Sequence, residues 1–244
     1  HTPFSAYLAF LNILVATIFD QKYVVFSNER SSNEGNVKYL GKIINHQWSK
    51  SFEFEKRFRN YSKKYLVKGL EYFSFLRPLY EIQIARLFSK YPKYFPVFLS
   101  CNEAYKTASG TKKPTRKWCG KCSKCLFVFS LFYPFLDEKR LVNIFKKNLF
   151  EDKSLLPVMQ QLIGERGFKS FECVGTKKES LVAFYLDWKK ARKRGRPPFL
   201  LKYFGERILP KHRKLEKESE KILSSWDSQN SLPEKFKKVL KIKI

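Results

Sequence analysis

Tyr23-Val24-Val25-Phe26-Ser27-Asn28-Glu29-Arg30-Ser31 is the stretch on which the fold turns. Four β-branched or aromatic residues in a row read as a strand with both faces covered, and the chain then passes at once into polar residues. Upstream, Thr2-Pro3 offers a capping hydroxyl followed by a proline suited to a first helical position. The residues from there to Phe19 are apolar around the whole circumference, so a helix buried on all sides is expected. Downstream, residues 48–67 place Phe52, Phe58, Tyr61 and Tyr65 at helical spacing. Tyr72 to Leu76 reads as a second strand ended by Arg77-Pro78, and a helix over 79–90 follows with Ile82, Ile84, Ala85 and Leu87. Helix, strand, helix, strand, helix is the order of an α/β fold with a parallel sheet and crossover helices. Such sheets bind ligands at the carboxyl ends of their strands. Ser27–Arg30 and Arg77-Pro78 both fall at such ends.

Beyond the second strand the reading turns helical, over 126–133, 137–149, 154–163, 178–194, 211–225 and 233–240. The expected division is an α/β nucleotide-binding part over 1–100, a cysteine-rich metal insert over 101–125, and a helical subdomain with a basic tail over 126–244. The 244 residues suffice for one large domain or a domain with an appendage. The chain does not open with methionine and its single methionine is Met159, so the natural N-terminus is expected upstream of His1. Leu8–Phe19 and Leu126–Leu136 are both too short to cross a bilayer. No basic n-region or small-residue cleavage site is visible, and a cytoplasmic setting is the expectation. A formal net charge of +27 favours anionic partners, although much of it reads as the composition of a Lys-rich genome.

Cys119, Cys122 and Cys125 are spaced C-x2-C-x2-C, with Cys101 upstream. Two-residue gaps let two thiolates reach one ion while backbone amides curl around sulfur. Four thiolates close a tetrahedral structural zinc site and leave no open position. Gly120 eases the tight turn and Lys117, Lys121 and Lys124 offset the charge. An iron–sulfur arrangement and plain thiols are the competing readings. Cys173 lies apart and reads as a buried thiol.

The strand runs into Asn28-Glu29-Arg30-Ser31, then Asn33-Glu34-Gly35-Asn36, then Asn45-His46-Gln47-Trp48-Ser49-Lys50-Ser51. With Trp118-Cys119-Gly120-Lys121-Cys122-Ser123-Lys124-Cys125 and Glu172-Cys173-Val174-Gly175-Thr176, these strings resemble the UDP-N-acetylmuramoyl-L-alanyl-L-glutamate epimerases. The resemblance covers His1 to about Thr176. It implies kinship with pyrophosphatase-loop ATPases, including the zinc-bearing 7-cyano-7-deazaguanine synthases. Their Ser-Gly-Gly-x-Asp-Ser loop does not occur here and is expected before His1.

The resemblance implies ATP and Mg2+ as cofactors beside structural Zn2+, a UDP-linked muramoyl peptide as substrate, and an acyl-adenylate on the way to D-glutamate. Within it, Glu29, Glu34 and His46 are the candidates for proton transfer, because carboxylate and imidazole can be tuned toward neutral pH. Arg30 and Lys50 are candidates to hold phosphate or carboxylate. Asn28, Asn33 and Asn36 are candidates to position nucleotide or peptide, and Arg77 is expected near the same cleft. Two other readings stay open: another pyrophosphatase-loop enzyme that adenylates for amidation or thiolation, and a zinc-stabilised nucleic-acid-binding module. The last draws on the net charge and on Arg194-Gly195-Arg196-Pro197, which resembles an AT-hook core but matches easily by chance. Nucleic acid is therefore not the expected partner.

Overall fold

The computed structural model describes residues 3–35, 37–105, 115, 117–167 and 174–243. Two compact units result, one of His1–Glu81 with Ser225–Ile244 and the other of Ile82–Ser224.

In the first unit, helix α1 (Phe4–Ile18) leads to β1 (Tyr23–Phe26). A short hairpin follows, β2 (Val37–Tyr39) and β3 (Lys42–Ile44), then α2 (Phe52–Tyr65) and β4 (Glu71–Ser74). β1 and β4 pair in parallel, with Tyr23 opposite Glu71 and Phe26 opposite Ser74. This is the expected parallel sheet with an intervening crossover helix, in a two-stranded form. Ser51 caps α2 by accepting from Phe54 N at 3.1 Å, while Glu53 and Glu55 in the first turn offset the helix's positive end. Val24, Phe54, Phe58 and Tyr72 form the core with Ala9, Ile13 and Ala16 of α1. The last helix, α11 (Glu234–Lys243), sets Phe236 against Tyr23 and Phe73 at 5.2 and 4.9 Å between ring centroids.

The expectation that α1 is buried all round is overturned. Only Ala9, Ile13 and Ala16 are enclosed, and Leu14 and Ile18 are 57% and 67% exposed. A sheet of two strands backed by α2 offers this helix one narrow stripe, which positions i, i+4 and i+7 fill. Thr2, part of the expected start signal, lies outside the described residues; Pro3 occupies the cap position without a side-chain hydrogen bond.

The second unit is helical. It holds α3 (Glu81–Phe88, entered from the first unit), α4 (Asn102–Tyr105), α5 (Ser123–Phe132), α6 (Glu138–Phe145), α7 (Leu156–Ile163), α8 (Lys177–Lys193), α9 (Phe199–Tyr203) and α10 (Leu215–Leu223). α5 is buried along almost its whole length, as its apolar run requires. Phe129 of α5 packs edge-on against Phe145 and Phe150, and Phe150 continues to Phe184 of α8. α8 begins at Thr176, whose hydroxyl accepts from Glu179 N, and the buried Glu179 carboxylate accepts from Ile82 N at 2.9 Å. At the far end of α8, Lys190 donates to the carbonyls of Tyr133, Pro134 and Leu136, satisfying the turn that follows α5. No helix among the described residues is long and apolar enough to cross a membrane.

Candidate functional site

The loops after β1 and β4 are stitched together beyond the strand ends. Phe75 N donates to Phe26 O at 2.7 Å and Arg30 N to Leu79 O at 3.0 Å. Arg77, carried just past β4, is fully buried beneath them. Its guanidinium donates to Glu29 O (2.8 Å), Ser32 Oγ (2.7 Å) and Lys50 O (2.6 Å), and meets Glu55 Oε2 at 3.3 Å. One side chain thus fixes the segment after β1, the turn before α2, and α2 itself. The planar fork of arginine, with five donors, is suited to such a hub.

Around this hub the sequence-derived candidates take different places. Asn28 is buried and donates to Ser74 Oγ at 3.1 Å. Glu29 is half-buried and accepts from Ser31 Oγ at 3.3 Å; that oxygen also lies 3.2 Å from Glu81 Oε1. A hydroxyl has one hydrogen, so the two carboxylates share it in turn. Arg30 stacks over the Tyr80 ring, 4.5 Å from its centroid, and pairs with Asp227 at 3.3 Å. Asn33 Oδ1 accepts from Phe52 N at 2.7 Å, serving the first turn of α2. Glu34 is exposed, and His46 and Lys50 are half-buried. Asn36 lies outside the described residues.

A pocket of about 590 Å³ opens beside this segment, walled by Asn33, Gly35, Asn45, Trp48, Lys56 and Gln229 among others. Asn45 braces it by donating to Ser32 O at 2.7 Å and accepting from Gln47 N. At its rim Trp48 Nε1 donates to Glu53 Oε2 at 3.0 Å, and this bond, ahead of the neighbouring Arg57, lowers the Glu53 carboxyl below its ordinary range. Sequence reasoning passed over Asp227, Gln229, Lys56, Glu81 and Asn45. Asn45 stands inside the quoted polar string, and Lys56 lies one turn into α2. Asp227 and Gln229 return from the far end of the chain and carry no local signal.

In the second unit the four cysteines converge. The Sγ atoms of Cys101, Cys119, Cys122 and Cys125 lie within 4.8 Å of one another. Three of the separations are 3.9, 3.6 and 3.6 Å, against about 3.8 Å for a tetrahedron with zinc–sulfur bonds of about 2.3 Å. Gly120 takes the turn at φ +65°, and Lys121 N donates to Cys119 Sγ. The hydrogen bond with Cys125 holds the Cys122 thiol down at about 5, while that bond and burial push Cys125 up. A thiolate metal site needs all four sulfurs deprotonated, so an ion bound among them would displace these shared protons. The donor set and its spacing fit one closed tetrahedral ion. Cys173 and Glu172 lie outside the described residues.

The family model described as the MurL N-terminal domain matches residues 1–75, and that described as the MurL C-terminal domain matches residues 97–218. The two matches fall one in each compact unit. Three curated relatives carry the name UDP-N-acetyl-alpha-D-muramoyl-L-alanyl-L-glutamate epimerase. That of Xanthomonas oryzae pv. oryzae is 38% identical over 195 residues, 78% of this chain and 43% of the relative. Those of Micromonospora sp. and Salinispora tropica are 39% and 38% identical over 186 residues, 76% of this chain and 41% and 40% of theirs. No solved structure matches the chain. The chain spans less than half the length of these relatives, and on these matches it belongs to the MurL family.

Proposed function

We propose that this chain forms part of an ATP-dependent epimerase that converts the terminal L-glutamate of UDP-N-acetylmuramoyl-L-alanyl-L-glutamate to D-glutamate in peptidoglycan precursor synthesis. The observation that carries the reading is the shared name of relatives at 38–39% identity. The polar segment held at the carboxyl ends of two parallel strands supports it. The same reading puts the protein in the cytoplasm, where thiols stay reduced.

The chemistry has a clear requirement. The α-proton of a glutamate is not acidic while the adjoining carboxylate is charged, because its removal builds a second negative charge beside the first. Attack of the α-carboxylate oxygen on the α-phosphorus of ATP, with pyrophosphate as leaving group, joins it to AMP, neutralises it and creates an acyl electron sink; Mg2+ would supply charge neutralisation for the phosphates. A base then removes the α-proton, a proton returns on the other face, and water releases AMP and the inverted product.

We assign Glu29 first among the proton-transfer candidates. It is half-buried, is hydrogen-bonded by a hydroxyl, and has no ion-pair partner among the described residues. Glu34 and His46 remain the companions for the opposite face. Arg30 and Lys50 hold anionic groups, and Asn33 lines the pocket. Arg77 acts as a positioning residue beneath the loop, since both of its terminal guanidinium nitrogens are spent on protein acceptors. Cys101, Cys119, Cys122 and Cys125 hold a structural Zn2+ that leaves no coordination position for substrate.

The test is product analysis with the full-length protein. The reading requires conversion of the L-Glu nucleotide to its D-Glu form with release of AMP and no added ammonia or sulfur donor. A product that gains nitrogen or sulfur instead would transfer the chain to the amidating or thiolating branch.

A further inference from the structure

Beside the cysteine cluster, within the second unit, lies a larger hollow of about 840 Å³. Its walls are aromatic, with Phe95, Phe98, Tyr105 and Trp118 among them. Two of these rings are held by the core. Trp118 sits 4.7 Å from Phe145 and 5.2 Å from Phe98, and Phe98 sits 5.5 Å from Phe132, all between centroids. Cys119 follows Trp118 directly, so the sulfur cluster anchors the same wall. Tyr105 is more than half exposed, and its hydroxyl donates to Leu99 O at 3.4 Å.

Three cations complete the lining, Lys117, Arg140 and Lys146, and no carboxylate lines the hollow among the described residues. Lys117 and Lys146 have no ion-pair partner among those residues. Arg140 meets Asp137 at 3.1 Å, but both side chains are about half exposed, and such pairs give way readily to a stronger anion. Rigid aromatic faces beside clustered cations are the two halves of nucleotide recognition: π-faces accept a base by stacking, and cations accept phosphates. The volume falls within the usual range of about 300–1,000 Å³ for small-molecule sites.

We infer that this hollow takes the uridine diphosphate end of the sugar nucleotide, with the uracil against the Trp118, Phe98 and Tyr105 rings and the diphosphate on Lys117, Arg140 and Lys146. The inference rests on the epimerase reading for the choice of uridine. It adds a docking role for the second unit, whose cysteine cluster then serves to hold the stacking wall in place.

The experiment is calorimetric titration of UDP, and separately ADP, into the zinc-loaded full-length protein and into a Lys117→Glu/Lys146→Glu variant. Tyr105→Ala, which removes an exposed ring, serves as a second variant should charge reversal impair folding. Saturable UDP binding, weakened at least tenfold in the charge variant and several-fold in Tyr105→Ala with unchanged melting temperature, is the expected result. UDP binding that is equal in wild type and variants overturns the assignment, as does ADP binding that is tighter than UDP and is lost in the same variants. Epimerase turnover is measured in parallel. Unchanged UDP binding in an active enzyme removes this site and leaves the proposed function standing. UDP binding lost in the variants of a protein that does not epimerise keeps the site and removes the function.

Discussion

Arg77 and Glu55 meet at 3.3 Å with both side chains all but fully enclosed, and Arg77 ties the segment after β1 to the turn before α2. Taking two charges out of water is costly, and the pair persists because Arg77 has four further acceptors around it, Glu29 O, Ser32 Oγ, Lys50 O and Ser74 Oγ. Removal of one partner leaves the other charge buried alone. Arg77→Ala is expected to lower stability by about 3–5 kcal/mol. Glu55→Gln, which keeps the shape and an acceptor, should cost clearly less. Chemical denaturation of the two variants checks the order, and equal small losses would remove Arg77 from the centre of the loop.

The cysteine cluster predicts one zinc per chain and a stability that depends on it. Chelation, or Cys122→Ser, should lower the melting temperature of the second unit. Elemental analysis together with thermal melts tests this. Iron in place of zinc, or a folded protein indifferent to chelation, would contradict it.

Asp187 predicts a pH signature. It is fully buried in α8, hydrogen-bonded by Ser130 Oγ at 2.5 Å, and burial raises its carboxyl well above the ordinary range. The folded state therefore keeps a proton that the unfolded chain has released. Stability from this group is highest below the ordinary carboxylate pKa and falls as pH rises above it. Asp187→Asn should flatten that decline as pH rises above the ordinary carboxylate value. Urea denaturation across pH tests it, and identical slopes in both proteins would refute it.

Lys190 predicts a cost at a helix end. Its ammonium serves the carbonyls of Tyr133, Pro134 and Leu136 at 2.6, 3.3 and 2.6 Å. Lys190→Met keeps most of the length and removes the donors, and should destabilise by about 1.5–3 kcal/mol. A neutral result would mean that water replaces the ammonium without loss.

What the sequence made legible was local. The strand Tyr23–Phe26 stands where its four apolar residues placed it. The second strand runs Glu71–Ser74, ending before Leu76, because the chain turns there, with Arg77 N donating to Ser74 O. The C-x2-C-x2-C spacing brought three sulfurs together because two-residue gaps allow little else, and Cys101 joined them from farther off. The β2–β3 hairpin lies inside the polar segment Ser27–His46. Its signal was present in Leu40-Gly41, both at positive φ, which is the two-residue turn that hairpins favour. Long-range pairing left no such trace. Nothing near Arg30 announces Asp227, and nothing in the tail announces that Ser225–Ile244 returns to the first unit. Periodicity likewise marked α1 as a helix but not how many neighbours it would find.

The central claim is that a glutamyl α-carbon loses and regains its hydrogen at the segment beginning with Glu29. Mass spectrometry of the nucleotide after incubation with full-length protein, ATP and Mg2+ in deuterated water reads this directly. The account predicts deuterium at the terminal glutamate α-carbon in step with D-glutamate formation, and loss of both in a folded Glu29→Gln variant. AMP release with the α-hydrogen fully retained would contradict it.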